Sequence, residues 1–311
     1  MNKFRFYFIL SITTILLFSC SSSDNSYEEV PLRDFQEQFT ADNTLIETYL
    51  NSHYINITNE PGDQTDQDVV ITVIPDGGSQ KPIMTYLNNA DFPKLLKRDV
   101  PLHGITYSIY YLVLREGTGN SPTNVDNVLT SYNGTYLTSD ILDTKIITAT
   151  RFEEIKYPEQ MSNLYNVIRG WSEIFPQFKT GTHADGPNGT VVYSDFGAGV
   201  IFIPSGLAYY SEGSSNIPSY TPLVFSFKLY ELQRMDQDDD GILSINEDLN
   251  HDGYMTDYRN TVAYPTAPAN LDDTDQDGIP NFLDTDDDGD GYTTKLEISK
   301  GTNYLDKNSH P

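Results

Sequence analysis

Apolar runs separated by Gly, Pro and Asn turns dominate the middle of the chain. Thr106–Leu114 reads TYSIYYLVL and ends at a turn that is rich in glycine and contains a proline. Runs so dense in aromatic and β-branched residues predict strands. On the same grounds we predict further strands at Val69–Ile74, Val128–Tyr136, Val191–Tyr193, Gly199–Ile203 and Leu223–Leu232.

Two segments have helical spacing instead. Asp42 is the predicted N-cap of a short amphipathic helix. A second helix is predicted over Ile168–Lys179, with Pro176 bending it and Gly181 capping it. Many strands around one helix predict an α+β fold class, with an antiparallel sheet wrapped on one short helix. The first helix would bury one face, formed by Leu45, Ile46, Tyr49 and Leu50.

The first twenty residues have the plan of an export signal. Lys3 and Arg5 precede an uncharged apolar run, Phe6–Phe18, which is shorter than a membrane-spanning helix. The run ends at Cys20, and this ending resembles the lipobox of bacterial lipoproteins, in which the cysteine is lipidated. An ordinary signal peptide with an incidental cysteine is the alternative. We prefer lipidation, because the only cysteine of the chain stands where the lipobox requires it.

Charge and cysteine content narrow the function classes. The chain has 311 residues, with 45 acidic against 19 basic side chains and a net charge of −26. Such a charge repels nucleic acid phosphates and favours cations, so we predict no nucleic acid partner. A single cysteine excludes an intramolecular disulfide framework and a cysteine-rich zinc site.

Composition divides the chain into five parts. A polar, serine-rich stretch follows the signal and reads as a flexible tether. The charge balance changes abruptly after Arg234: residues 236–297 hold 18 acidic and two basic side chains. The predicted organisation is a lipoprotein signal over 1–20, a tether over 21–41, a small N-terminal α/β region over 42–100, the sheet domain over 101–234 and an acidic module over 235–311.

The sheet domain resembles the FKBP-type prolyl isomerases. Three stretches carry the resemblance in order and approximate spacing: Ser131-Tyr132-Asn133-Gly134, then NVIRGW ending at Trp171, then the run from Ile203 through Asn216-Ile217-Pro218 to Phe227. The resemblance implies an FKBP-like fold and catalysis of rotation about X-Pro bonds in an apolar cup, without a cofactor for catalysis.

The resemblance also assigns roles within the cup. Trp171 would be its floor, Tyr209 would donate its hydroxyl to a substrate carbonyl, and Asp143 aligns with the family's pocket aspartate. Leu142 stands where the family usually has phenylalanine, and Tyr210 stands where it usually has glycine. The walls would be Tyr132, Val167, Ile168, Ile217 and Phe225, together with Leu142.

The acidic module contains loops with the spacing of calcium ligands. Carboxylates at alternate positions with glycine at position 6 match the EF-hand loop, in which oxygens at positions 1, 3, 5, 7, 9 and 12 surround the ion. We name the two complete matches loop A (236–247) and loop D (286–297). Their predicted ligands are Asp236, Asp238, Asp240, Ile242, Ser244 and Glu247 in loop A, and Asp286, Asp288, Asp290, Tyr292, Thr294 and Glu297 in loop D.

Two further loops match in part. Loop C (273–284) resembles a thrombospondin type-3 calcium repeat, and Pro280 should prevent a following helix. Loop B (248–259) begins in the same way but has Arg259 at position 12, so we predict a weak or empty site. A solvated acidic tail is the alternative for the whole segment. The predicted ligands of loop C are Asp273, Asp275, Asp277, Ile279, Asn281 and Asp284.

These observations predict a prolyl cis-trans isomerase that acts on exported, proline-containing proteins. It would be anchored by lipid in the bacterial cell envelope, at the outer membrane, with structural Ca²⁺ in its C-terminal module. One alternative is an FKBP-like binding module with little turnover, as Leu142 and Tyr210 suggest. Another is a calcium-dependent protein of the cell surface, acting in adhesion or assembly.

Lipidation can be tested with the Cys20→Ala variant. If Cys20 carries the lipid, the variant should leave the membrane fraction or accumulate unprocessed, because the anchoring lipid is attached to this cysteine. Fractionation and gel migration measure both outcomes. A variant that fractionates and migrates like the wild type would exclude the lipoprotein interpretation.

Overall fold

Antiparallel strands make up most of the chain described by this computed structural model, which covers residues 31–140, 142–144, 146–186 and 189–311. The strands are β1 (His53–Ile57), β2 (Val69–Val73), β3 (Lys94–Leu102), β4 (Ile105–Arg115), β5 (Asn127–Ser139), β6 (Ile147–Ile155), β7 (Ser162–Asn163), β8 (Thr182–Asp185), β9 (Val191–Ser194), β10 (Gly197–Ile203) and β11 (Leu223–Gln233). The α-helices are α1 (Phe35–Ser52), α2 (Arg169–Ile174) and α3 (Thr294–Lys300).

The central sheet has the strand order β3-β4-β10-β11-β5-β6, and the short β7 pairs with the start of β5. All of these neighbours are antiparallel. Two hairpins, β1–β2 and β8–β9, lie outside this sheet. A mostly antiparallel sheet with few helices confirms the predicted fold class at this level.

Both faces of the sheet are buried, and side chains alternate between two cores. On β4, Tyr107, Ile109 and Tyr111 belong to the core under α2, whereas Tyr110 and Leu112 belong to the core on the opposite face. Successive residues of a strand point to opposite faces, so a strand buried on both sides needs a continuous apolar run. This requirement explains the unbroken sequence IYYLVL.

The N-terminal region covers the second face. Ile46, Tyr49 and Leu50 of α1 are buried in the same core as Leu112 of β4 and Phe202 of β10. The β1–β2 hairpin packs against this core too. The region over 42–100 is therefore part of the sheet domain's architecture, which its sequence alone did not reveal.

Asp42 does not cap α1, contrary to the prediction. The helix begins at Phe35, seven residues earlier, and Asp34 is its N-cap, accepting a hydrogen bond from the Glu37 N–H at 3.0 Å. The predicted tether therefore cannot extend to residue 41. Asp42 lies inside the helix, 2% exposed, and accepts hydrogen bonds from the main-chain N–H of Ser205 at 2.7 Å and from its hydroxyl at 2.6 Å. Burial raises the pKa of Asp42 to about 6.

The second predicted helix is shorter than expected. α2 ends at Ile174, and Phe175–Gln177 continue as a single 3₁₀ turn that contains Pro176. Proline has no N–H to donate to an α-helical carbonyl, so the helix cannot continue through it. The predicted cap, Gly181, lies beyond the turn, directly before β8.

The predicted strands are confirmed to within a few residues. β1, β7 and β8 were not predicted, and neither were β3 and β6. β3 and β6 are both edge strands of the sheet. β3 reads KLLKRDVPL and β6 reads ITATRFEEI, and charged residues and proline are typical of strands that are exposed at an edge. The predicted domain boundary at residue 101 falls inside β3.

The acidic module is attached to the sheet domain by specific contacts. The Asn124 side chain makes two hydrogen bonds with the main chain of Met255: it donates to the carbonyl at 2.7 Å and accepts from the N–H at 2.9 Å. Val125, Met255 and Phe282 form a small apolar core of their own. Tyr254 donates its hydroxyl to the main-chain carbonyl of Glu173 on α2 at 2.8 Å. Residues 33–311 accordingly form one compact unit.

The predicted signal peptide and Cys20 lie outside the described residues. Within the described part of the chain, every helix is too short or too polar to cross a bilayer.

Candidate functional site

Aromatic rings from several elements pack together in one apolar cluster, which we call the cup. Trp171 lies on α2 with 5% of its surface exposed, and its ring meets Tyr132 edge to face at 4.9 Å and Phe225 at 5.2 Å. Phe152 of β6 meets Phe225 at 5.6 Å. The structure thus brings residues of α2, β5, β6 and β11 into one cluster.

Two glycines of the family-like motifs make this cluster possible. A Cβ atom on Gly134 would lie 2.5 Å from the Phe152 ring and 2.9 Å from Phe225. A Cβ atom on Gly170 would lie 2.5 Å from the side chain of Ile203. Both positions therefore exclude a side chain, since atoms at such separations overlap.

Three more of the predicted cup residues belong to this core or pack against it. Ile217 is 6% exposed and belongs to the same core as Trp171 and Phe225, and Val167 and Ile168 pack against that core while half-buried. Ile168 also precedes the first residue of α2, and its carbonyl accepts from the Trp171 N–H at 3.0 Å. The cup therefore combines aromatic rings with aliphatic side chains.

Leu142 and Asp143 do not join the cup, which corrects the prediction for both residues. Leu142 is 96% exposed, and Asp143 lies exposed on the same loop, where its carbonyl accepts from Ile146. Phe152 and Glu153, ten residues further along, lie at the cup instead. Motif spacing alone did not identify these two residues.

The polar rim of the cup is formed by two tyrosines and Glu153. The Tyr132 hydroxyl donates to the Glu153 carboxylate at 2.7 Å. Burial, and then the Glu153 charge, raise the pKa of Tyr209, which is 38% exposed. Burial and the same carboxylate also raise the pKa of Tyr132. Both hydroxyls therefore stay protonated at neutral pH, and that of Tyr132 is already engaged by Glu153.

Tyr210 stabilises the start of α1. Its φ of 44° is left-handed, which explains why a glycine is usual at this position. Its ring stacks on Phe35 at 4.6 Å, and its hydroxyl donates to the carbonyl of Arg33. This departure from the family pattern thus anchors the N-terminal region.

A cleft of about 750 Å³ lies away from the cup, between the β3–β4 edge and the acidic module. Arg98, Arg169, Tyr254 and Tyr264 are among the residues that line it. Its lining combines these polar groups with apolar residues such as Leu102, Ile105 and Pro265, and it includes none of Trp171, Ile217 and Phe225.

The four acidic loops share one backbone conformation. In each loop the glycine N–H at position 6 donates to the carboxylate at position 1, over 2.8 to 3.1 Å. The N–H at position 7 donates to the carboxylate at position 5, and glycine has a left-handed φ at position 6. Loop B therefore has the same turn as the others, although its Arg259 pairs with Asp257 at 2.8 Å.

Carboxylates converge in loops A, C and D. The ligand atoms at positions 1, 3 and 5 lie within 4.8 Å of one another in each of these three loops. In loop A, Glu247 is 1% exposed and neither of its carboxylate oxygens has a hydrogen-bond partner; the buried Ser244 hydroxyl lacks one too. In loop D, one oxygen each of Asp286, Asp288, Asp290 and Glu297 is buried without a partner. Such oxygens fit a hard cation that takes six to eight oxygen ligands.

Two predicted ligands are engaged elsewhere. Asn281 of loop C is bound to Thr274, accepting from its N–H and donating to its hydroxyl, both at 2.9 Å. The Thr294 hydroxyl of loop D accepts from the Asp287 N–H at 3.2 Å. The main chain at Ile242, Ile279 and Tyr292 follows the common turn.

The loops are not helix–loop–helix units within the described residues, contrary to the EF-hand expectation. Loop A follows β11 and contains only the 3₁₀ turn Ser244–Asn246. After Pro280, loop C contains only the 3₁₀ turn Asn281–Leu283, as the proline predicted, and loop D alone runs into an α-helix, α3. The similarity is therefore one of loop conformation.

Burial disfavours ionisation of the carboxyl groups in loop A. Burial, and then the neighbouring carboxylates, raise the pKa of Glu247 to about 9 and that of Asp238 to about 7. Carboxyl groups this close together cannot all ionise without a compensating cation.

A protein family described as BamM C-terminal matches residues 237–309, which is less than half of the chain. A comparison with curated proteins gave no match.

Similar solved structures include a peptidyl-prolyl cis-trans isomerase from Pseudomonas syringae pv. tomato, with 23% identity over 50% of this chain and 100% of that one and a TM-score of 0.31. FkpA from Escherichia coli is 26% identical over 40% of this chain and 48% of its own, with a TM-score of 0.29. The N-terminal domain of FKBP42 from Arabidopsis thaliana is 14% identical over 40% of this chain and 86% of its own, also with a TM-score of 0.29. TM-scores of this size do not establish an activity for this chain.

The corrected cup can be tested by comparing Phe152→Ala with Leu142→Ala. We expect Phe152→Ala to lower the free energy of unfolding by about 2 kcal/mol, below the ~3–5 kcal/mol of a fully buried phenylalanine. Leu142→Ala removes an exposed side chain and should change it by less than about 0.5 kcal/mol. Chemical denaturation measures both. Equal effects, or a larger effect at Leu142, would contradict the placement.

Proposed function

We propose that the protein is a prolyl cis-trans isomerase of the FKBP type. The observation that carries the proposal is the apolar cup floored by Trp171 and rimmed by Tyr209, Tyr132 and Glu153. The family-like motifs and the similar isomerase structures support it. Exported, proline-containing proteins are the proposed substrates, because we predict an export signal over residues 1–20.

The chemistry needs no nucleophile. The barrier to rotation about a peptide bond is ~18–20 kcal/mol, because resonance gives the C–N bond partial double-bond character. The planar amide is more charge-separated than the twisted one, so a dry cup that excludes water favours the twisted state. The prolyl ring would lie on Trp171, against Phe225 and Ile217. No cofactor is required for this step.

The rim supplies orientation. Tyr209 would donate its hydroxyl to a substrate carbonyl next to the proline. Glu153 accepts from the Tyr132 hydroxyl at 2.7 Å and so fixes that ring as a wall. In this proposal Phe152 and Glu153 take the roles that the motif spacing had assigned to Leu142 and Asp143.

The proposed location is the bacterial cell envelope. The apolar run before Cys20 supports export, and lipidation of Cys20 would hold the chain at the outer membrane. Catalysis on other exported proteins during their folding would take place there.

A prolyl isomerisation assay on the chain from Ser21 onward tests the proposed activity. Tyr209→Phe should lower the rate about two- to tenfold, the loss of one hydrogen bond of ~0.5–1.5 kcal/mol, with little effect on folding. Trp171→Ala should weaken proline-peptide binding. Glu153→Gln should lower the rate, whereas the matched Asp143→Asn should not.

The rate should vary little with pH near neutrality, because both rim hydroxyls have raised pKa values. A folded wild type with no turnover that still binds a proline peptide would show a binding module instead. Equal losses in Glu153→Gln and Asp143→Asn would contradict the assignment of the rim.

We also propose that loops A, C and D bind Ca²⁺ as structural ions. Converging carboxylates support this assignment in all three loops, and buried carboxylate oxygens without partners support it further in loops A and D. All of these ligand atoms are oxygens. The ions would neutralise a cluster that otherwise opposes folding.

Calcium should therefore stabilise the protein in a pH-dependent way. At a hundred times its dissociation constant an ion adds about 2.7 kcal/mol per site. Without calcium, the raised pKa values mean that the folded state holds protons that the unfolded state releases near pH ~4. Stability of the chelated protein is then highest at low pH and falls as the pH rises through about 7 to about 9. Thermal unfolding with calcium or with a chelator measures this, and identical curves at every pH would exclude the ions.

A further inference from the structure

Asp287 is an acidic residue that no ligand position of its own loop uses. It stands at position 2 of loop D, where the other three loops have Gln237, Leu249 and Thr274. It is nevertheless 1% exposed, and neither of its carboxylate oxygens has a hydrogen-bond partner. Leaving a charged group buried in this way is costly, so its position calls for a compensating partner.

Its carboxylate is directed to loop A. Ligand oxygens of Asp287, Asp240 and Glu247 lie within 4.8 Å of one another, and all three residues are at most 2% exposed. Loop A and loop D are separated by 38 residues in sequence, and the cluster joins them. The carboxylates at positions 1, 3 and 5 of loop D gather separately.

Loop D holds Asp287 in this orientation. Its N–H donates to the Thr294 hydroxyl at 3.2 Å, and the Thr294 N–H donates to the Thr285 carbonyl at 2.9 Å. Thr294 is fully buried. It therefore serves to position Asp287 rather than to face solvent at the rim of its own loop.

The described residues offer the cluster little positive charge. Lys295 lies close enough for its charge to act on Asp240, but its ammonium donates to the main-chain carbonyl of Asp239 at 3.0 Å rather than to a carboxylate of the cluster. None of the ion pairs among the described residues includes Asp240, Glu247 or Asp287. Three buried carboxylates without a cation repel one another strongly in a low-dielectric site.

We propose that Asp287 is a cation ligand that loop D donates to the site of loop A. This inference rests on the proposed binding of calcium. The ion would be held by carboxylates of two loops, so binding at loop A requires loop D in place. The ion then fastens the start of the acidic module, directly after β11, to its end at α3. The segment between them carries Tyr254 and Met255, which contact the sheet domain.

The test uses the chain from Ser21 onward, which contains the compact unit of residues 33–311. Calcium alone is titrated, by calorimetry and by amide NMR. The amides of Gly241 and Gly291 report the two loops separately, since each donates to the position-1 carboxylate of its own loop.

Asp287→Asn should weaken calcium binding at loop A by about tenfold or more, the scale of losing one supporting group of a metal site. Asp239→Asn is the matched control, because it makes the same charge change in loop A at an exposed, left-handed position that asparagine tolerates. We expect it to shift affinity by less than about twofold. Equal effects of the two variants would overturn the proposal while leaving calcium binding itself intact.

A second measurement does not depend on the folding of Asp287→Asn. In a chain with Asp288→Asn and Asp290→Asn, which disables loop D's own carboxylates, calcium added to loop A should still shift the Asp287 amide resonance. A shift confined to loop A would exclude a ligand from loop D. A wild type that binds no calcium would overturn both this inference and the calcium proposal.

Discussion

The buried carboxylate of Glu173 holds the candidate site together. It accepts from Arg98 of β3 at 2.8 Å and pairs with Arg169 of its own helix at 2.6 Å, and it is 3% exposed. Its main-chain carbonyl accepts from Tyr254 of the acidic module. A helix as short as α2 has no stability of its own, so these contacts determine where it lies. Trp171, two residues before Glu173, is placed as the floor of the cup in consequence.

A sheet buried on both faces is the second constraint. α2 and its aromatic neighbours cover one face, and α1 with the β1–β2 hairpin covers the other. The link between Asp42 and Ser205 joins α1 to the turn that follows β10, and that turn leads directly to Tyr209. The N-terminal region therefore supports the segment that carries one rim residue of the cup.

The acidic module differs from the sheet domain in what its buried positions contain. Its apolar core is small, with Val125, Met255 and Phe282 at its centre, while its buried positions include many carboxylates. Apolar burial alone cannot compensate for collecting these charges. A cation bound between loops would compensate the charge of the buried carboxylates. Because Tyr254 of the module contacts α2, the order of the module would then bear on the position of the helix that carries Trp171.

Local sequence pattern determined much of this protein. The continuous run of β4 predicted a strand, and its burial on both faces explains why the run is continuous. Alternating carboxylates with glycine at position 6 predicted the acidic loops, because their turn is set by contacts within a few residues. Short motifs were enough to select Tyr132, Trp171 and Phe225. Each of them lies on a strand or helix whose place in the sheet domain is fixed by its neighbours.

Only the tertiary structure decided contacts between segments distant in the sequence. The sequence around Asp42 has the pattern of an N-cap. In the folded chain, however, its buried carboxylate accepts a hydrogen bond from Ser205, 163 residues away. Edge strands β3 and β6 lack an apolar pattern, because one side of each faces solvent. Phe152 contacts Phe225, and Glu153 accepts from Tyr132, across neighbouring strands that motif spacing does not relate. Asp287 approaches Asp240 and Glu247 because folding brings loops A and D together.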